Sequence, residues 1–187
     1  MKESILLMAL LALLVGQKSE ASNGVPNDLS VKVFVTYQCE ACYQLYHGLK
    51  NHNFDKATQV EFVPAISWPS WRLFAKLHLL VDKIERPELH AAIFKEIHIN
   101  KAKNKSQSYW ENWLKEQGVD GETFKETYFS HEINATLAAI ETEQKEQAIS
   151  TVPTIITSNG KKLEPSELLT TANTIKLIED RFIEPER

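Results

Sequence analysis

Apolar residues repeat along this chain with two different periods, and the changes of period divide it. Val31 to Tyr37 (VKVFVTY) concentrates β-branched and aromatic residues and predicts a strand. Cys42, Leu45, Tyr46 and Leu49 then recur at i, i+3, i+4 and i+7, which is one face of a helix. Cys39 extends that face by one step and so falls at the helix start. Val60 to Ile66 (VEFVPAI) predicts a second strand with Pro64 near its end.

A helical stretch follows. Phe74, Leu77, Leu80, Val81 and Ile84 make one stripe, and Leu89, Ile93 and Ile97 another. Tyr109, Trp110, Trp113 and Leu114 form a third, ending near Gly118. Asp120 is placed to cap a helix over Thr123 to Ser130, and Ile133, Leu137 and Ile140 mark one more. No strand pattern interrupts these roughly 80 residues. Strand signals return at Thr154 to Thr157 (TIIT), with Asn159-Gly160 as a hairpin turn and Lys161 to Leu163 pairing back. Pro165 is expected to open a final helix carrying Leu168, Ala172, Ile175, Ile178 and Phe182. The predicted order is β-α-β, a helical block, then β-β-α, with no internal repeat and no low-complexity linker.

The N-terminus says where the chain goes. Ile5 to Val15 is apolar, follows Lys2, and precedes Ser19 and Ala21 in a small-x-small pattern. It is shorter than the roughly 20 apolar residues a membrane span needs. Residues 1–21 are therefore expected to be a signal peptide cut after Ala21, although Glu3 offsets the charge of Lys2. About 165 residues remain, enough for one domain carrying an insertion. The formal net charge is -4, and this mild acidity argues against nucleic acid as a partner.

The chain has only two cysteines, three positions apart. In an exported protein, stapling disulfides usually close large loops. A Cys39–Cys42 bridge closes almost none, so the pair points to chemistry. A helix N-terminus offers unpaired N–H groups and partial positive charge, and both stabilise a thiolate at Cys39. Such a thiolate attacks disulfides and leaves readily. Cys42, one turn further in, is placed to resolve a mixed disulfide. A structural zinc site normally needs four ligands. With no further cysteine, and no two of the six histidines four apart, no metal is expected.

The second candidate segment is Thr151-Val152-Pro153-Thr154, about 110 residues after the CxxC pair and just before a strand. With the strand into Cys39-Glu40-Ala41-Cys42-Tyr43 and the run Ile155 to Pro165 (IITSNGKKLEP), it resembles the thioredoxin superfamily, and within it the DsbA family of bacterial disulfide oxidases. The resemblance covers nearly all of the mature chain. It implies an α/β thioredoxin fold, over 22–68 and 149–187, with an inserted all-helical domain at 69–148. It implies that Pro153 is cis, faces the cysteines, and exposes the Val152 backbone to an extended substrate peptide. It implies periplasmic thiol–disulfide exchange that needs no cofactor beyond the Cys39–Cys42 disulfide. Reduced or unfolded exported proteins are the implied substrates, and a quinone-linked membrane protein of the DsbB type is the implied reoxidising partner.

Two features depart from the family. Glu40 and Ala41 stand where similar oxidases often have Pro-His, and Glu40 is expected to raise the Cys39 pKa and make the disulfide less oxidising. Val33 occupies a position where some relatives carry a buried acid. A milder oxidant is the expectation. The alternatives are an isomerase or reductase, or a chaperone-like binding module that does not turn over. Only about nine residues separate Ala21 from Val31, too few for the dimerisation segment of dimeric isomerases, so a monomer is expected.

Other residues carry less. Trp110 and Trp113 are read as helix packing, and one of Trp68 and Trp71 could lie near the site. His47 is read as solvated. Lys101 to Lys105 is read as a solvated turn, and the Asn104-Lys105-Ser106 and Asn134-Ala135-Thr136 glycosylation patterns as chance.

Overall fold

The computed structural model describes residues 29–54, 58–166 and 170–183. The expected signal peptide lies outside them. Strand β1 (Leu29–Val35) leads into helix α1 (Glu40–Asn51), and β2 (Thr58–Pro64) returns alongside β1. Five helices follow: α2 (Arg72–Lys83), α3 (Glu88–His98), α4 (Gln107–Glu116), α5 (Gly121–Tyr128) and α6 (His131–Glu146). A single 3₁₀ turn, Pro69–Trp71, precedes them. The chain closes with β3 (Thr154–Thr157), β4 (Lys162–Leu163) and α7 (Thr171–Ile183).

The four strands form one sheet in the order β2-β1-β3-β4. β1 is parallel to β2, with Val33 opposite Phe62, and antiparallel to β3, with Val33 also opposite Ile155. A strand paired on both sides and covered on both faces needs a near-continuous apolar run. β1 has one: Val31, Val33, Phe34 and Val35 are all buried. Val31, Val33 and Val35 pack with Cys42, Leu45 and Leu49 of α1 and with Leu77, Ile93 and Ile97 of the helical block. Phe34 faces the other way, against Val63, Ala65, Ile140 of α6 and Ile149. On that second face Lys32 donates to Glu143 of α6 at 2.7 Å.

Side chains set several helix starts. Ser106, Asp120 and Ser130 accept hydrogen bonds from backbone N–H groups of the first turns of α4, α5 and α6. The expected stripes face inward: Phe74, Leu77, Leu80, Val81, Leu89, Ile93, Ile97, Trp110 and Leu114 are buried. Trp110 meets Phe74 edge-on, with centroids 5.9 Å apart, and Trp113 at 5.6 Å.

Several boundaries differ from the sequence expectation. Both leading strands begin two residues early, at Leu29 and Thr58, because the ladder pairs Leu29 with Thr58 through to Val35 with Pro64. Tyr37 then lies beyond the strand. The hairpin pairs Thr157 N–H with the Lys161 carbonyl at 3.0 Å, so three residues turn the chain, and Gly160 takes the left-handed position at φ 79°. Pro165 does not open the last helix. Thr170 caps it instead, its hydroxyl accepting from the Asn173 N–H at 3.1 Å and its carbonyl from the Thr174 N–H. α7 then crosses α1 so closely at Gly48 that a Cβ there would lie 1.8 Å from Thr171 Cγ2. His52, just after α1, also pairs with Glu179 of α7 at 2.8 Å.

Candidate functional site

Cys39 is the N-cap of α1. Its backbone is extended (φ -93°, ψ 121°), and its Sγ accepts the N–H of Cys42 at 3.2 Å. A sulfur takes the place that a Ser, Thr or Asp oxygen usually fills at a helix start. Cys39 is half-buried and Cys42 is fully buried. Both are thiols here.

The two sulfurs divide the charge unequally. Cys39 is lowered to about 7, first by the hydrogen bond from the Cys42 thiol, then by the backbone N–H groups of Cys42 and Ala41 and the field of Lys103, with burial opposing. Cys42 is raised well above the ordinary thiol value, mainly by burial, then by its hydrogen bond to Cys39 and the charge there, with a backbone bond at Thr36 opposing. Val33, the strand residue in place of a buried acid, is wholly buried between Phe62 and Ile155 and brings no charge beneath Cys42. One sulfur is an accessible thiolate near neutrality, and the other is a sequestered thiol one helical turn away.

The Val152 carbonyl lies 3.8 Å from Cys39 Sγ, and the Val152–Pro153 peptide bond is cis. Thr154 braces the turn, its hydroxyl donating to the Thr151 carbonyl at 2.8 Å. A cleft of about 70 Å³ runs beside the cysteines, lined by Ala41, Gln44, Leu45, Pro153, Thr170, Thr171 and Thr174. Cys39, Cys42, Ala41, Val152 and Pro153 therefore converge on one spot, from segments more than 100 residues apart.

Glu40 does not stand alone beside the sulfur: its carboxylate sits 2.7 Å from Nδ1 of His98, at the end of α3. His98 was not legible as a site residue, because its partner stands 58 positions away on another element. The Lys101 to Lys105 turn also differs from a plain solvated loop. Ala102 is buried, the Gln38 amide donates to the Lys103 carbonyl at 3.0 Å, and the Lys103 charge favours the Cys39 thiolate.

A second polar cluster lies further along the same helices. His78, Asp82 and His90 bring ligand-capable atoms within 4.8 Å of one another. Their hydrogen bonds are already committed. His90 bonds the buried Tyr37 hydroxyl at 2.6 Å and Asp82 at 2.9 Å, while His78 Nε2 faces the Phe62 carbonyl at 3.1 Å. His78 is pushed down to about 3 by burial and the neighbouring His90. It reads as a neutral donor to a carbonyl of strand β2.

Other aromatic and histidine positions differ in their exposure. His47 is half-buried between Tyr43 and Tyr46 at 4.8 and 5.6 Å, with Nε2 out of solvent, so the solvated reading does not hold for it. Trp68 is 63% exposed, and Trp71 packs against the Phe34 side of the sheet. No helix among the described residues is long and apolar enough to cross a membrane.

No protein-family profile matches the chain. Curated relatives do. The thiol:disulfide interchange protein DsbA of Azotobacter vinelandii is 24% identical over 165 residues, covering 87% of this chain and 77% of that protein. DsbA of Pseudomonas aeruginosa is also 24% identical, covering 87% of this chain and 78% of that protein. Among solved structures, P. aeruginosa DsbA superposes with a TM-score of 0.74 at 21% identity, over 84% of this chain and 86% of that one. The oxidoreductase NmDsbA1 of Neisseria meningitidis gives 0.68 at 23% identity, over 83% and 84%. The fold is thus a thioredoxin fold with a helical insertion.

Proposed function

We propose, from the premise that the chain is a DsbA-like protein of the thioredoxin superfamily, that it is a disulfide oxidoreductase acting through Cys39 and Cys42. The single observation that carries the reading is the environment of the Cys39 sulfur. It caps a helix, accepts the Cys42 N–H at 3.2 Å, and faces the Val152 carbonyl at 3.8 Å.

The exchange is written with both electrons accounted for. A substrate thiolate attacks Sγ of Cys39 in the oxidised pair. The Cys39–Cys42 bond breaks, and Cys42 departs and takes up a proton. A second substrate thiolate attacks the substrate sulfur of the mixed disulfide, and Cys39 leaves as a thiolate. The substrate loses two electrons and the cysteine pair gains them. The lowered Cys39 makes it a good leaving group in the second step. The high Cys42 keeps the resolving sulfur protonated until it is needed.

The Val152 backbone and the cleft between Ala41 and Pro153 provide the seat for an extended peptide. The preferred direction is donation of disulfides to reduced or unfolded exported proteins in the periplasm. A membrane partner of the DsbB type then takes the electrons. Reference CxxC thiols run from about 3.5 in the strongest oxidases to about 7 in thioredoxin. A Cys39 near 7 belongs at the thioredoxin end, which supports a mild oxidant and keeps isomerase or reductase activity as the second reading.

The test is regain of disulfides by a reduced, denatured substrate in the presence of wild type and of Cys39→Ser. Wild type is expected to accelerate it and the variant to do nothing. Equal performance by the two overturns catalysis in favour of a holdase.

A further inference from the structure

His98 enters the active site from the helical block and meets two oxygen acceptors at once. Nε2 lies 2.8 Å from the Tyr37 carbonyl, and Nδ1 lies 2.7 Å from a carboxylate oxygen of Glu40. A carbonyl has no proton to offer, so Nε2 must donate. A neutral imidazole then has only a bare Nδ1, which would face the carboxylate lone pair to lone pair. The geometry is satisfied when the ring carries both protons and Glu40 carries none.

Further contacts hold the ring and its turn in place. His98 is in the last turn of α3, where carbonyl ends attract a cation. Its ring stacks on Tyr43 at 5.0 Å and 13°, and on Phe94 at 6.2 Å. The Lys101 ammonium donates to the His98 carbonyl at 2.9 Å and fixes the turn that follows. The titratable groups against the ring are Glu40 and Tyr43 from α1, while Lys101 of the following loop meets the His98 carbonyl.

We propose that His98 is a positioning residue for thiol–disulfide exchange, one that neutralises Glu40 and so protects the Cys39 thiolate from the acid beside it. The inference rests on the exchange reading above. Glu40 directly follows the nucleophile. Unpaired, its charge disfavours a thiolate at Cys39 and so stabilises the disulfide; paired to His98, it leaves the helix start almost uncharged. The CxxC loop contains no cation of its own, and the insertion lends one.

The pair makes a signed prediction that packing alone does not. The readout is equilibration of Cys39–Cys42 with glutathione, in which one protein disulfide and two glutathione thiols become one protein dithiol and one glutathione disulfide. His98→Gln keeps an amide donor for Tyr37 but no charge. It is expected to shift the equilibrium toward the protein disulfide on the order of tenfold, about 30 mV more reducing. Glu40→Gln removes the acid and is expected to shift it the opposite way by a few-fold. The double variant is expected to return to within about threefold of wild type, the non-additivity of a coupled pair. Thermal unfolding of each variant, followed alongside, shows that it is folded. Single variants that shift the equilibrium in the same direction, or not at all, overturn the proposal. A wild type that does not exchange with glutathione overturns the exchange reading itself, and this inference with it.

Discussion

Cys39 Sγ and the carbonyl oxygen of Val152 lie 3.8 Å apart although 113 positions separate them in the chain. That proximity puts the Val152 backbone, the proposed seat for a substrate peptide, next to the Cys39 sulfur. It also fixes what trapping should look like. In Cys42→Ser the resolving sulfur is gone, so a substrate joined to Cys39 cannot be released from within the protein. Mixed disulfides should accumulate in non-reducing gels of the variant incubated with a disulfide-bonded substrate, as Cys39 attacks the substrate disulfide, one substrate sulfur leaves as a thiol and the other stays joined to Cys39; they should vanish with added thiol. Their absence in Cys42→Ser while wild type remains active would contradict Cys42 as the resolving residue.

The pH dependence of alkylation follows from Cys39 lying near 7 and Cys42 far above the ordinary thiol value. Iodoacetamide labelling of the reduced protein should rise through pH 7 and reach a plateau by about pH 8.5, with one equivalent incorporated. Lys103→Gln should move the midpoint slightly upward, because Lys103 is the least of the groups lowering Cys39. The sign for stability is set by the same shift. A thiol lowered on folding contributes stability present above its unfolded value, and that contribution is lost as pH falls through 7.

Acid stability should depend on His78. Its folded value of about 3 lies below the ordinary 6.5, so only the unfolded chain takes up this proton as pH falls between them. Stability from this residue is present above 6.5 and is lost as pH falls toward 3. His78→Gln keeps a donor for the Phe62 carbonyl and cannot titrate. Urea unfolding of the variant should therefore vary less than wild type over that window. An unchanged pH slope would show that His78 does not set it.

Trp110 anchors the helical block, wholly buried against Phe74 and Trp113. Trp110→Ala should cost about 3–5 kcal/mol in urea unfolding. Its indole N–H has no partner among the described residues. Trp110→Phe therefore gives up no hydrogen bond and should cost less than half as much. Equal losses in the two variants would show that ring bulk does not account for the anchoring.

Much of the site could be read along the chain because it is local. The apolar face through Cys42, Leu45, Tyr46 and Leu49 predicts the helix, and placing Cys39 one step before it predicts the cap. The Val152-Pro153 pair stands out through resemblance, since nothing in its own spacing says what it faces. His98 and Lys103 do not stand out. Each acts across a gap between elements, and sequence periodicity reports only which face of one helix is apolar. Glu40 illustrates the same limit: read alone it is an unfavourable charge beside a thiolate, and only the end of α3 supplies its partner, His98. The strand and helix ends moved for related reasons. Pairing of Leu29 with Thr58 and capping by Thr170 decide them, and neither leaves a hydrophobic signature.

The position of β1 has a consequence in time. Its ladder to β2 joins nearby residues, but its ladder to β3 waits for Thr154 to Thr157, after all five helices of the block. A ribosome delivers the chain from the N-terminus, so Cys39 and Cys42 emerge more than 100 residues ahead of Val152. Until then the nascent pair has neither the neighbouring carbonyl nor the cover of α7. The contacts that lower Cys39 lie within the start of α1 and at Lys103, but the Val152 carbonyl beside the sulfur arrives only with the final segment, so an unfinished copy carries the nucleophile before the backbone it faces.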